Sequence, residues 1–295
     1  MNTFSLETYK GIVGHGSYQK VIAYLEKTQA LELLEKYRVI FEGGENQLDT
    51  DDKLLHTYEN YLKWVLQNEP TTEQAKEYFF KQFAPFFDNI STWESLETAI
   101  FTYFQQQGYY VQFGITPPYP DLYLWKKQTK KVETVKLPET TTAIHVYEMD
   151  KVLTRGWYDY LSFGQAGAAG WVNVDGAYYF KDRYDVSSDE FKISLLKHEA
   201  QHFVDLKNYP DMNSVNLEYR AKLVELIYYD EPTRLQKFLQ MIGDNPDNPH
   251  LYANKLIVED LKKELGDVEL FRDYFLVKEA SLKLLALHTK GLSKK

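Results

Sequence analysis

Residues 187–210 read SSDEFKISLLKHEAQHFVDLKNYP, and this stretch decides what the rest of the chain has to build. Ser187-Ser188-Asp189-Glu190 has the pattern of a capping box, which satisfies the first free backbone N–H groups of a helix. Asn208-Tyr209-Pro210 stops that helix. In between, Phe191, Leu195, His198 and His202 fall at i, i+4, i+7 and i+11. That spacing puts both imidazoles on the face that carries Phe191 and Leu195 into the core.

Two imidazoles one helical turn apart can grip a single small cation, and Zn²⁺ accepts nitrogen ligands at about 2.0–2.1 Å. Glu199 is turned by about 100° from His198 around the helix. Its carboxylate therefore stands beside the metal rather than on it, where it can take a proton from water. The chain has no cysteine, so thiolate sites and disulfide frameworks are excluded. The expected cofactor is one Zn²⁺ per chain, held by histidine and carboxylate.

A catalytic zinc takes three protein ligands and leaves one position open. Histidine is scarce, and none of His15, His56, His145, His250 and His288 follows His202 at the spacing of an HExxHxxGxxH motif. A carboxylate is the natural third ligand. The loop Asn208 to Asn216 contains Pro210 and suits an antiparallel return into a helix from about Leu217 to Tyr229. On that helix Glu218, Ala221 and Glu225 share one face, and Ala221 is small enough for close approach. Glu218 is expected as the third ligand, and Glu225 as an acceptor that orients an imidazole N–H.

HExxH followed by a glutamate on the next helix resembles the gluzincin, thermolysin-like metallopeptidases over roughly residues 170–225. The resemblance implies a zincin-like core and a peptidase in which zinc polarises the scissile carbonyl while Glu199 acts as general base. It also implies a His or Tyr that stabilises the oxyanion, for which His250 and Tyr252 are candidates, with Arg220 as a second possible donor. An edge strand upstream of the active-site helix would bind substrate backbone, and the expected hairpin Trp171–Phe180 occupies that position. Lys222 stands where the family's Glu-x-x-x-Asp pattern has aspartate. That departure keeps an alternative in view, a non-catalytic metal-binding or interaction protein with a zincin-like fold. A zinc hydrolase acting on a non-peptide amide is a third reading.

Outward from the motif, the expected fold class is α+β and predominantly helical. Residues 1–107 form a helical N-terminal subdomain, 108–230 the catalytic core with a small antiparallel sheet, and 231–295 a helical C-terminal subdomain. In the first part, helices are expected over 17–41, 52–66 and 73–87. A capping box at Ser91-Thr92-Trp93-Glu94 opens another that runs to about Gln107. Strands are expected over 109–113, 122–125, 132–137 and 143–147, and the hairpin over 171–180 has Asp175-Gly176 at its tip. The loop Gly164–Gly170 is open enough in composition to let a peptide approach. Helices over about 251–265 and 268–288 close the chain, with residues 291–295 frayed.

Composition limits the partners. With 44% apolar and 26% charged residues the chain can build an ordinary core. A formal net charge of -9 excludes phosphate-dominated nucleic-acid binding as the main business. The densest basic group, Lys126-Lys127 with Lys130-Lys131, reads as a solvated loop. No apolar run nears the about 18 residues a membrane span needs, and no leader pattern follows Met1. The expected setting is cytoplasmic, with a peptide or protein substrate, no membrane and no nucleic acid. Nothing in the sequence sets the oligomeric state.

Overall fold

Short polar side chains open most helices of the first part of the chain. These are α1 (Leu6–Val13), α2 (Tyr18–Thr28), α3 (Leu31–Phe41), α4 (Lys53–Asn68), α5 (Thr72–Phe83) and α6 (Trp93–Gln106). Ser5, Ser17, Asp52, Thr71 and Thr92 each accept hydrogen bonds from first-turn N–H groups. The expected helix over 17–41 is two, because Gln29 takes a left-handed φ of 56° and ends α2. The box before α6 closes between Thr92 and Ser95, not through Glu94.

The structure, a computed structural model, describes residues 3–173, 175–246, 248–266 and 273–292. It is mostly helical, with a mixed five-stranded sheet. After α6 come β1 (Tyr110–Thr116), β2 (Tyr119–Lys136), β3 (Thr141–Arg155), α7 (Gly156–Leu161), β4 (Gly170–Asn173) and β5 (Gly176–Phe180). The hydrogen-bonded order is β1-β2-β3-β5-β4. The sheet, expected to be small and mostly antiparallel, is mixed, with β1–β2 and β4–β5 paired antiparallel. Its β3 and β5 are neighbours separated in sequence by α7 and β4, a connection long enough to permit parallel pairing. The two expected strands 122–125 and 132–137 are parts of one strand, β2. The lysines at 126, 127, 130 and 131 lie on that strand, not on a loop. They are exposed and lie beyond the register of β1, which ends at Tyr110 opposite Trp125. Charge at such a place deters stray pairing.

The chain divides into two units, Met1–Gln128 with Met149–Ala169, and Thr129–Glu148 with Gly170–Lys295. In the first, Asp121 on β2 is wholly buried. Its Oδ1 accepts from Tyr58 OH at 2.7 Å and from the Trp157 N–H at 2.8 Å. Gly156, at φ +82°, abuts the same carboxyl, where a Cβ would collide with it. The loop expected to admit a peptide is closed on itself, with Ser162 Oγ bonded to both the N–H and the carbonyl of Ala166.

The second unit holds a π-helical segment (Glu190–Lys197), α8 (His198–Asn208), α9 (Ser214–Tyr228), α10 (Thr233–Gln240), α11 (Pro249–Leu265) and α12 (Tyr274–Leu292). Residues 267–272, which include the expected start of the last helix, and 293–295 of the expected frayed tail lie outside the described residues. Gly291 and Leu292 belong to α12. Among the described residues no helix is long and apolar enough to cross a membrane. The hairpin turn lies one residue earlier than expected, because Gly176 pairs with Asn173 inside the strands.

Burial pushes the Asp121 carboxyl up to about 7 against the pull of its hydrogen bonds. The folded state therefore holds this proton more tightly than the unfolded chain. The stability it contributes is full below the ordinary carboxylate value and is lost as pH rises towards 7. Wild type should lose stability relative to Asp121→Asn between pH 4 and 7, by at most about 1.4 kcal/mol per pH unit. Paired denaturant titrations across that range measure it, and a pH-independent difference would refute it.

Candidate metal centre

The helix that carries the histidines is not α-helical throughout. Residues 190–197 wind as a π-helix and pass into α8 at His198, a local widening that occurs often at functional sites. Its N-cap, Asp189, makes no side-chain cap bond, and Ser188 before it accepts the Phe191 N–H on its Oγ at 3.1 Å. Glu190, expected to complete the capping box, instead accepts from Tyr229 OH at 3.0 Å. Phe191, Leu195 and His198 are buried, and His202 is nearly so.

α9 packs against α8, α11 and α12 and is buried from Glu218 through Leu226, including four charged residues. Glu218 meets the two imidazoles. Its Oε1 is 3.2 Å from His202 Nε2 and its Oε2 is 3.6 Å from His198 Nε2. Two turns on, Glu225 Oε1 accepts from His198 Nδ1 at 2.7 Å. The imidazole rings stand nearly perpendicular, with centroids 4.6 Å apart. Ligand atoms of His198, Glu199 and His202 all lie within 4.8 Å of one another, and the three could hold a metal ion. Glu199 Oε2 is 4.0 Å from His202 Nε2.

The electrostatics favour a cation here. Burial by itself would keep His198 neutral, but Glu218, Glu225 and Glu199 outweigh it and the imidazole is pushed up to about 10. Burial would raise Glu218, yet the three surrounding imidazoles hold its carboxyl well below the usual range. Glu225 is lowered in the same way by His198, Arg234 and Lys222, against its burial. The donor set fits zinc, being two imidazoles and a carboxylate with no thiolate. Glu218 Oε2 and His202 Nδ1 are buried without a well-aligned hydrogen bond. The under-satisfied Glu218 oxygen is what an added cation accommodates, whereas His202 Nδ1 lies across the ring from the Nε2 that faces Glu218.

The remaining residues singled out in the sequence divide. His250, at the start of α11, reaches the site, with Nδ1 2.8 Å from Glu218 Oε2 and its side chain 65% exposed. Tyr252 is half-buried on the same helix, with Lys255 Nζ 5.9 Å from its ring centre. Arg220 does not join the site. Its Nε donates to Asp205 at 2.9 Å, Nη1 to Thr289 at 2.8 Å and Nη2 to Glu139 at 3.2 Å. Two residues after Glu218 on a helix, it faces away from the imidazoles.

Two features escaped sequence reasoning. Arg234 on α10 pairs with Glu225 Oε2 and lies 3.6 Å from Glu190 Oε1. Lys222 is buried over the Phe238 ring at 4.8 Å, and burial lowers its pKa. Neither has a local sequence pattern, since both depend on where α10 packs. Beside Glu199 a cavity of about 290 Å³ opens between β3, β4, β5 and α8.

Glu225→Gln keeps the shape of the side chain but loses the charge that orients His198, so zinc affinity should fall by about 10–100-fold. Competition with a chelating dye measures it. Arg220→Met should cost about 3–5 kcal/mol of stability by stranding Asp205, with zinc stoichiometry unchanged. Loss of zinc from the folded variant would place Arg220 in the site after all.

No family model, no curated protein and no solved structure matches this chain.

Proposed function

We propose that the chain is a zinc-dependent peptidase with a zincin-like core of gluzincin type. The observation that carries this reading is the convergence of His198 Nε2 and His202 Nε2 on the Glu218 carboxylate, with Glu199 on the wall of an adjoining cavity. In this reading His198, His202 and Glu218 hold the ion. Bound zinc would polarise the scissile carbonyl and make the attacking water more acidic.

The protein's own groups do the rest. Glu199 accepts a proton from the water as its oxygen attacks the carbonyl carbon, then returns it to the amine nitrogen as the C–N bond breaks. Glu225 holds the Nδ1–H of His198 and so fixes the ring with Nε2 towards Glu218. His250, mostly exposed beside Glu218, can turn to donate to the negative oxygen of the tetrahedral intermediate. Tyr252, two residues on along the same helix, is turned about 200° from His250 and takes no part in this role. β4 ends the strand order, so one of its edges is open among the described strands, and an extended peptide can add there as a further strand.

One observation favours a second reading, a non-catalytic metal-binding protein. His250 Nδ1, at 2.8 Å from Glu218, supplies a third nitrogen and so a fourth protein donor at the site. Four protein donors would close the position that catalysis needs open.

Elemental analysis of the wild type should find one zinc per chain, and Glu218→Ala should lose it. Glu199→Gln should keep its zinc while kcat on a cleavable peptide falls by about 10²–10⁴-fold. A wild type that takes up no zinc from added metal would return His198 and His202 to the core. Zinc uptake with unchanged turnover in Glu199→Gln would remove Glu199 from the chemistry.

A further inference from the structure

We propose that the cavity beside Glu199 is a specificity pocket for a basic side chain, lysine or arginine, next to the scissile bond of a peptide. This rests on the peptidase reading and adds to it the class of substrate.

The pocket measures about 290 Å³, at the small end of the about 300–1,000 Å³ of ligand sites. It has room for one long side chain and not for a cofactor. Its walls are largely apolar, with Ile144, Val172, Ala177 and Phe203 among them. Such walls accept a methylene stem. Phe203 follows Glu199 by one turn of α8, so the apolar wall and the proton acceptor share a helix face.

The charged groups on the lining are of one sign. Glu199 and Asp175 are carboxylates, and His145 is the one imidazole there. Asp175 is exposed in the turn between β4 and β5, and among the described residues its carboxylate has no cationic partner. Its backbone N–H donates to Asn173 Oδ1 at 2.8 Å, which braces the backbone at the base of the side chain. The pocket is kept narrow at Gly176, where any Cβ would strike the His145 carbonyl of β3.

An apolar channel with an unpaired carboxylate matches a side chain that is apolar along its length and cationic at its tip. A leucine would fill the channel but leave Asp175 unmatched. A glutamate would meet two like charges. Discrimination thus comes from repulsion as well as attraction.

The test is cleavage of a peptide set with lysine, arginine, leucine, phenylalanine or glutamate beside the scissile bond, by the zinc-loaded full chain. Wild type should favour lysine and arginine over leucine by about tenfold in kcat/KM, the scale of one charge-assisted hydrogen bond. Asp175→Asn should remove most of that preference, and Asp175→Lys should shift it towards glutamate. Asp175 is exposed, so an unchanged thermal midpoint serves as the folding control. Cleavage that prefers leucine or phenylalanine, or a basic preference untouched in Asp175→Asn, would overturn the pocket and leave the peptidase reading standing. A zinc-loaded chain that cleaves none of the peptides would overturn the peptidase reading and the pocket with it.

Discussion

A helix buried on every side can carry charge only where each charge is answered from a neighbouring element. α9 takes Glu218, Arg220, Lys222 and Glu225 into the interior of its unit, and an unanswered ion there costs several kcal/mol. The answers come from named places. α8 supplies His198 and His202 to the glutamates and Asp205 to Arg220. α10 supplies Arg234, and the loop after β2 supplies Glu139. Lys222 alone rests on an aromatic face. The packing of α8 and α10 against α9 and the constellation of the candidate site are therefore one problem with one solution.

That coupling explains why the site reads as a cation site before any ion is considered. Carboxylates are placed around buried imidazoles because the helices must close, and the imidazole they surround is held positive. A metal ion at the same point takes over a charge the surroundings already favour, and its binding displaces protons.

The helical character of the chain and the facing of α8 and α9 were legible in the sequence, because periodicity and caps are local. So was the approach of Glu218 and Glu225 to the histidine pair, while the assignment of Glu225 to His198 and of Glu218 Oε1 to His202 came from the structure, where two antiparallel helices pair their ends in reverse order. What was not legible depended on distant packing. Arg220 looked like a donor for the site by proximity in sequence, yet a separation of two residues turns it towards Asp205 and Thr289. The sheet was expected to be mostly antiparallel because hairpin signals are local, and the neighbouring of β3 and β5, set by a crossover, had no such signal. The long β2 was read as two strands and a loop because its lysines imitate a loop. Arg234 and the burial of Lys222 leave no local trace at all.

The π-helical stretch ahead of His198 has a consequence for how this chain can vary in length. A wide turn holds about one residue more than an α-turn over a similar angle. A single deletion within 190–197 can be absorbed by reverting to α-winding, leaving His198 on nearly the same bearing. The stretch from His198 to Glu225 has no such slack. One residue gained or lost within α8 or α9 turns one set of donors by about 100° against the other. Relatives of this chain should therefore vary in length ahead of the first histidine, and keep strict count inside the two helices that follow it.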